Sequence, residues 1–141
     1  MANNTYKSTI TFNKNIQVTA ESRGMSFILD QPEADDEGIT PVEALLSAIG
    51  ACKAMMVRAY SRKHGIKVTS VQVEVEGDLG INRDANPDGP QGFTEIRTRY
   101  IFESDASDEA LKTFTDFIDQ FCPVAATIKE SPAMISRIER K

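Results

Sequence analysis

A chain of 141 residues with 40% hydrophobic side chains is long enough to form one domain with a buried core, and residues 1–141 are read as that single domain. Its formal charge of −5 runs against nucleic-acid binding, which needs clustered positive potential to displace counterions from phosphates. No apolar run approaches the roughly 20 residues of a membrane span and no apolar leader follows a basic start, so a soluble, cytoplasmic protein is the expectation.

From Thr5 to Phe12, Ile16 to Ala20 and Met25 to Leu29, apolar and polar residues alternate at period two, with breaks at Asn13-Lys14-Asn15 and Arg23-Gly24. This predicts a meander of three short strands. The acidic run Glu33 to Gly38 has no periodicity and reads as a solvated loop. Thr40-Pro41-Val42-Glu43 then resembles a capping box, with Thr40 accepting from the backbone at Glu43, Glu43 reaching back to the cap, and Pro41 at the tolerated first helical position. Leu45, Ala48, Ile49, Cys52, Met55, Met56 and Ala59 recur at spacings of three and four, and Gly65 is a stop signal. A helix from Pro41 to His64 is predicted, about 36 Å long, with Cys52 on its buried stripe. Ala44, Ala48, Gly50, Ala51 and Ala54 leave room for another backbone, or a second copy of the helix, to pack closely.

Ile66 to Glu76 alternates again, with Val71, Val73 and Val75 on one face; Asn82 to Gly92 is a turn-rich loop, and Phe93 to Glu103 is the partner strand of a long hairpin. Ser107-Asp108-Glu109 caps a further helix whose apolar face is Leu111, Phe114, Phe117, Ile118 and Phe121. Pro123 lacks an N–H and favours a first helical turn, so Cys122 becomes the N-cap of a short helix, Pro123 to Lys129. Ser131-Pro132 closes it. Alternation from Met134 to Ile138 predicts a final edge strand. The fold class is α+β.

The chain has two cysteines, Cys52 and Cys122, and one histidine, His64. In a reducing cytosol a cysteine pair is more often transient, catalytic or sensing than a permanent staple. A thiol reacts as its thiolate, favoured where helix N-terminal N–H groups converge, which is the geometry inferred for Cys122; a small apolar cap is the competing reading. Cys52, in mid-helix, has no free N–H groups, so core packing competes there and reactivity needs an outside cation. Arg23, in the turn before the third strand, is the candidate visitor, although an exposed turn residue explains it as well. Glu43, nine residues before Cys52, lies roughly 180° around the helix, so capping outweighs catalysis within one chain. His64 lies about 18 Å down the helix from Cys52, too far for a catalytic pair, and the cysteines and histidine make no zinc ligand set.

Gly38-Ile39-Thr40-Pro41-Val42-Glu43-Ala44-Leu45-Leu46, continuing through Ala48-Ile49-Gly50-Ala51-Cys52, with Cys122-Pro123-Val124 much later, resembles the OsmC-like family, which includes organic hydroperoxide resistance proteins. The resemblance spans nearly the whole chain. It implies an intertwined homodimer with long helices at its centre and active sites at the subunit interface. It also implies that Cys52 is a peroxidatic thiolate, that Cys122 resolves its sulfenic acid as a Cys52–Cys122 disulfide, and that a dithiol reductant, such as a lipoylated protein or a small thiol, restores both. No metal or prosthetic group is implied. An apolar pocket for an alkyl peroxide would draw on Met55, Met56, Phe117 and Phe121.

The chain departs from the organic hydroperoxide resistance branch at named positions. There a glutamate directly follows the helix-start proline; here Val42 does, and Glu43 comes one residue later, about 100° around the helix. The arginine held by that glutamate has no unambiguous counterpart, Arg23 lying only near the expected strand. Ala125-Ala126 stand where polar or basic residues are often seen. Two other readings therefore accompany the peroxidase: a redox-sensing or small apolar ligand-binding protein on the same scaffold, and a fold in which both thiols are buried and inert.

Overall fold

The computed structural model describes residues 4–80 and 84–141; residues 1–3 and 81–83, with the start of the predicted Asn82–Gly92 loop, lie outside it. The chain forms two compact units, one ending at Leu45 and one running from Leu46 to Lys141. Antiparallel sheets and three helices give the expected α+β class.

In the first unit β1 (Thr9–Lys14), β2 (Gln17–Ser22) and β3 (Met25–Leu29) form the predicted meander, antiparallel in the order β1-β2-β3. The β2–β3 connection is the two-residue Arg23-Gly24 loop between the paired Ser22 and Met25. Both residues have positive φ, 55° and 82°, the primed-turn geometry whose twist matches that of the strands. After β3 the acidic segment bends around Asp30, whose buried carboxylate accepts from Gln17 Nε2 at 3.0 Å, Gln31 N at 2.8 Å and Glu37 N at 3.1 Å. The capping box forms as expected: Thr40 N and Oγ1 donate to Glu43 Oε1 at 2.9 and 2.8 Å, and Glu43 N donates to Thr40 Oγ1 at 3.2 Å. The backbone N–H and then the hydroxyl of Thr40 hold the Glu43 carboxyl below its ordinary value.

Helix α1 (Pro41–Tyr60) supplies most of its length to the second unit. It stops four residues short of the predicted His64. Ser61 to Gly65 instead form turns in which Ile66 N donates to Ser61 O at 2.8 Å, and Gly65 takes φ of 69°. The hairpin strands β4 (Val68–Leu79) and β5 (Phe93–Ser104) pair so that Val71, Val73 and Val75 stand opposite Phe102, Tyr100 and Thr98. Helix α2 (Asp108–Phe121) is capped by Ser107, whose Oγ accepts from Ala110 N at 3.1 Å; α3 (Pro123–Glu130) follows directly.

The core of this unit is Val57, Ile66, Phe114 and Ile118, flanked by Met56, Val68, Val71, Tyr100, Phe102, Leu111 and Phe117. Two expectations are corrected by it. The buried face of α1 is Ile49, Gly50, Lys53 and Val57, not the stripe running through Cys52 and Met55; Met55 is 72% exposed. The reason is that α1 turns its Gly50 side toward β4, where an added Cβ would lie 3.2 Å from Val75 Cγ2, so the close approach that glycine permits is to the chain's own sheet. Met134 to Ile138 form no strand and are fully exposed, because alternation alone makes no strand without an edge to pair with.

Candidate functional site

Three parts of the second unit converge at one place: the middle of α1, the centre of β5, and the joint between α2 and α3. Cys122 is that joint. Its N–H donates to Ile118 O at 2.9 Å, closing α2, while its sulfur accepts from Ala125 N at 3.4 Å, opening α3. The local cause is Pro123, which cannot continue α2 but suits the first turn of α3. Cys122 is fully buried.

Cys52 arrives on α1. Its thiol lies close enough to that of Cys122, and to the backbone N–H of Val124, for each to shift its ionisation, and the cysteines are not bonded to each other. Folding thus brings together two sulfurs seventy positions apart in the chain. Burial first, and then the Cys122 thiol beside it, push the Cys52 thiol above its ordinary value; the Val124 N–H and the Lys53 ammonium pull the other way. The sign follows directly: the neutral thiol persists to higher pH than in an unfolded chain. Carboxamidomethylation of Cys52, followed against pH, is expected to be slow at pH 7 and to have its midpoint above the ordinary thiol value of about 8.5. A midpoint below that value would contradict the expectation.

Behind the thiols lies a polar cluster that sequence reasoning did not find. Lys53 is buried; its ammonium donates to Asp119 Oδ1 at 2.8 Å and to Thr98 Oγ1 at 3.2 Å, and sits 5.8 Å from the centre of the Tyr100 ring. Tyr100 donates its hydroxyl proton to the same Asp119 oxygen at 2.7 Å. Burial, followed by Asp119, raises the Tyr100 hydroxyl far above its ordinary value, so it stays protonated and remains a donor. One signal was available in the sequence: Lys53 is four residues after Ile49 and four before Val57, on the core side of the helix.

The other named residues have other places. Arg23 is the first residue of the β2–β3 turn and Glu43 belongs to the α1 capping box, both in the first unit. His64 follows α1, with Nδ1 3.0 Å from Tyr60 O and its ring packed on Phe114 and Phe117. Met55 and Met56, with Ala48, Ala51, Cys52, Ala59 and Pro123, line an open apolar depression of about 410 Å³. Phe117 and Phe121 pack on each other instead, their centroids 5.0 Å apart. Among the described residues, no three His, Cys, Asp or Glu side chains are grouped to hold a metal ion, and no helix is long and apolar enough to cross a membrane.

A family model described as OsmC-like protein matches residues 34–136. The hydroperoxide reductase of Mycoplasma pneumoniae is 29% identical over 126 residues, covering 88% of this chain and 86% of that protein. That of Mycoplasma genitalium is 27% identical over 125 residues, covering 87% and 86%. The crystal structure of an OsmC like protein from Mycoplasma pneumoniae superposes with a TM-score of 0.83 at 27% identity, over 92% of this chain and 91% of that one.

Proposed function

This chain belongs to the OsmC-like family, and from that premise we propose that it is a cysteine-based peroxidase that reduces organic hydroperoxides, with Cys52 as the attacking sulfur and Cys122 as the resolving one. The observation that carries the reading is the meeting of the two thiols beside the first turn of α3. Relatives named hydroperoxide reductase support the substrate class.

In the proposed cycle the Cys52 thiolate attacks one peroxide oxygen. The O–O bond breaks, the alkoxide leaves and takes up a proton to become the alcohol, and Cys52 becomes a sulfenic acid. The Cys122 sulfur then attacks the Cys52 sulfur; an S–S bond forms, and the hydroxyl departs with the Cys122 proton as water. A dithiol, such as a lipoylated protein or a small thiol, exchanges with the disulfide, becoming a disulfide itself and returning both cysteines to thiols. No metal or prosthetic group enters this chemistry. The apolar depression over Cys52 suits an alkyl chain better than a small hydrophilic peroxide. The same face of α1, lined by alanines and methionines, supports a homodimer in which a second copy walls the depression, and a cytoplasmic setting supplies the reductant.

The test is a titration of the fully reduced protein with an alkyl hydroperoxide, counting free thiols and identifying the product by mass. Two thiols are expected to vanish per peroxide, as a Cys52–Cys122 disulfide, and a dithiol should sustain repeated turnover. Thiols untouched by excess peroxide would refute the reading. The suppressed ionisation of Cys52 favours a second one, a redox sensor on the same scaffold, which forms the same disulfide slowly and without sustained turnover.

A further inference from the structure

The buried Lys53 and the half-buried Asp119 near the sulfurs have no part in the cycle as written, and their arrangement is specific. Lys53 directly follows Cys52 on α1, so the two side chains leave the helix about 100° apart, the sulfur toward the α2–α3 joint and the ammonium into the core. Asp119, which binds that ammonium, stands three residues before Cys122 on α2, one turn away. Taking a lysine out of water costs several kcal/mol, which its pairing must offset, and an apolar residue of similar size is often as stable in such a place. Stability alone thus gives weak grounds for an ammonium behind the thiols, whereas the chemistry of a thiolate gives a direct one: a nearby cation favours the ionised form.

We propose that the Lys53–Asp119 ion pair tunes the ionisation of Cys52, with the lysine favouring its thiolate and the aspartate holding the lysine in place while offsetting part of its charge. Lys53 is then a positioning residue for the proposed peroxidase chemistry, on which this inference rests, and it supplies from within the chain a cation of the kind for which Arg23 was a candidate. Among the described residues, the other titratable groups coupled to the thiols are Tyr100 from β5, which keeps its proton and donates to Asp119, and Cys122 itself from the α2–α3 joint. Two further facts agree with close electrostatic coupling: Lys53 is one of the two groups that favour the Cys52 thiolate, and negative charge on either sulfur raises the proton affinity of Tyr100.

The experiment is the rate of carboxamidomethylation of Cys52, read from its peptide by mass spectrometry between pH 6 and 11, in the full chain and in three variants. Lys53→Met is expected to move the midpoint up by about one pH unit, a loss of ~10-fold in the rate at pH 7, with the rate at high pH unchanged. Lys53→Arg retains the charge and should keep the midpoint near that of the parent. Asp119→Asn preserves shape and removes the counter-charge, so its midpoint should fall. Opposite movements in Lys53→Met and Asp119→Asn are the signature of charge; a merely structural pair would disturb both in the same sense or in neither. A midpoint that stays put in either variant, or moves the same way in both, overturns the proposal. Should Lys53→Met fail to fold, Asp119→Asn decides alone. Alkylation needs no peroxide, so the ion-pair proposal and the peroxidase reading succeed or fail separately.

Discussion

Replacing Cys52 with serine is expected to abolish consumption of an alkyl hydroperoxide, with a loss on the order of 10³-fold or more, the scale at which removal of a covalent nucleophile is felt. An alcohol oxygen is hardly ionised near neutral pH and does not accept an oxygen atom to give a stable acid, so the hydroxyl offers no substitute for the sulfur. The scaffold should tolerate the change, since Cys52 is only partly buried and the two atoms are similar in size. Cys122→Ser is the informative companion. Serine is a good N-cap, so Ala125 N keeps an acceptor and α3 its first turn. Its expected phenotype is one rapid turnover, then a Cys52 sulfenic acid that excess peroxide carries on to sulfinic acid, a gain of two oxygen atoms by mass. Steady consumption by Cys52→Ser would remove this cysteine from the mechanism. Unaltered multi-turnover kinetics in Cys122→Ser would remove the other.

Phe114→Ala is expected to cost about 3–5 kcal/mol, a large part of the 5–15 kcal/mol by which a domain of this size is typically stable. Phe114 is completely buried at the meeting point of α1, α2 and the segment entering β4, against Val57, Ile66 and Ile118. His64 lies over the ring from one side, and the buried neighbours Val57, Ile66 and Ile118 are β-branched and stiff, which leaves the flanking Met56 as the flexible side chain that can relax into part of the gap. Urea unfolding followed by circular dichroism should show the midpoint lowered by at least about 1 M, taking a slope of 1–3 kcal/mol per molar. A loss below about 1 kcal/mol would mean that the core is centred elsewhere.

Features written in adjacent residues could be read from the sequence. Thr40 and Glu43 satisfy one another across three positions, Arg23-Gly24 fixes a turn between two strands, and Pro123 forces a helix to end and another to start at Cys122. Each is decided by local backbone chemistry. The Lys53 cluster was not legible because its counter-ion lies 66 residues away and its second hydrogen-bond partner, Thr98, 45 residues away. The apolar stripe through Cys52 and Met55 was misassigned to the core because α1 carries hydrophobic residues on two arcs, and spacing alone does not say which one meets the sheet. Met134 to Ile138 alternate as a strand does, yet exposed backbone without a neighbouring edge has nothing to alternate against.

Helix α1 divides its work by azimuth. Its inward arc, Ile49, Gly50, Lys53 and Val57, is answerable to the sheet, so each change there is judged by fit and charge balance. Its outward arc, Ala48, Ala51, Met55 and Ala59, is answerable only to whatever molecule approaches. Selection can therefore retune what is admitted near the sulfur, one methyl or thioether at a time, while the architecture that anchors the sulfur stays as it is.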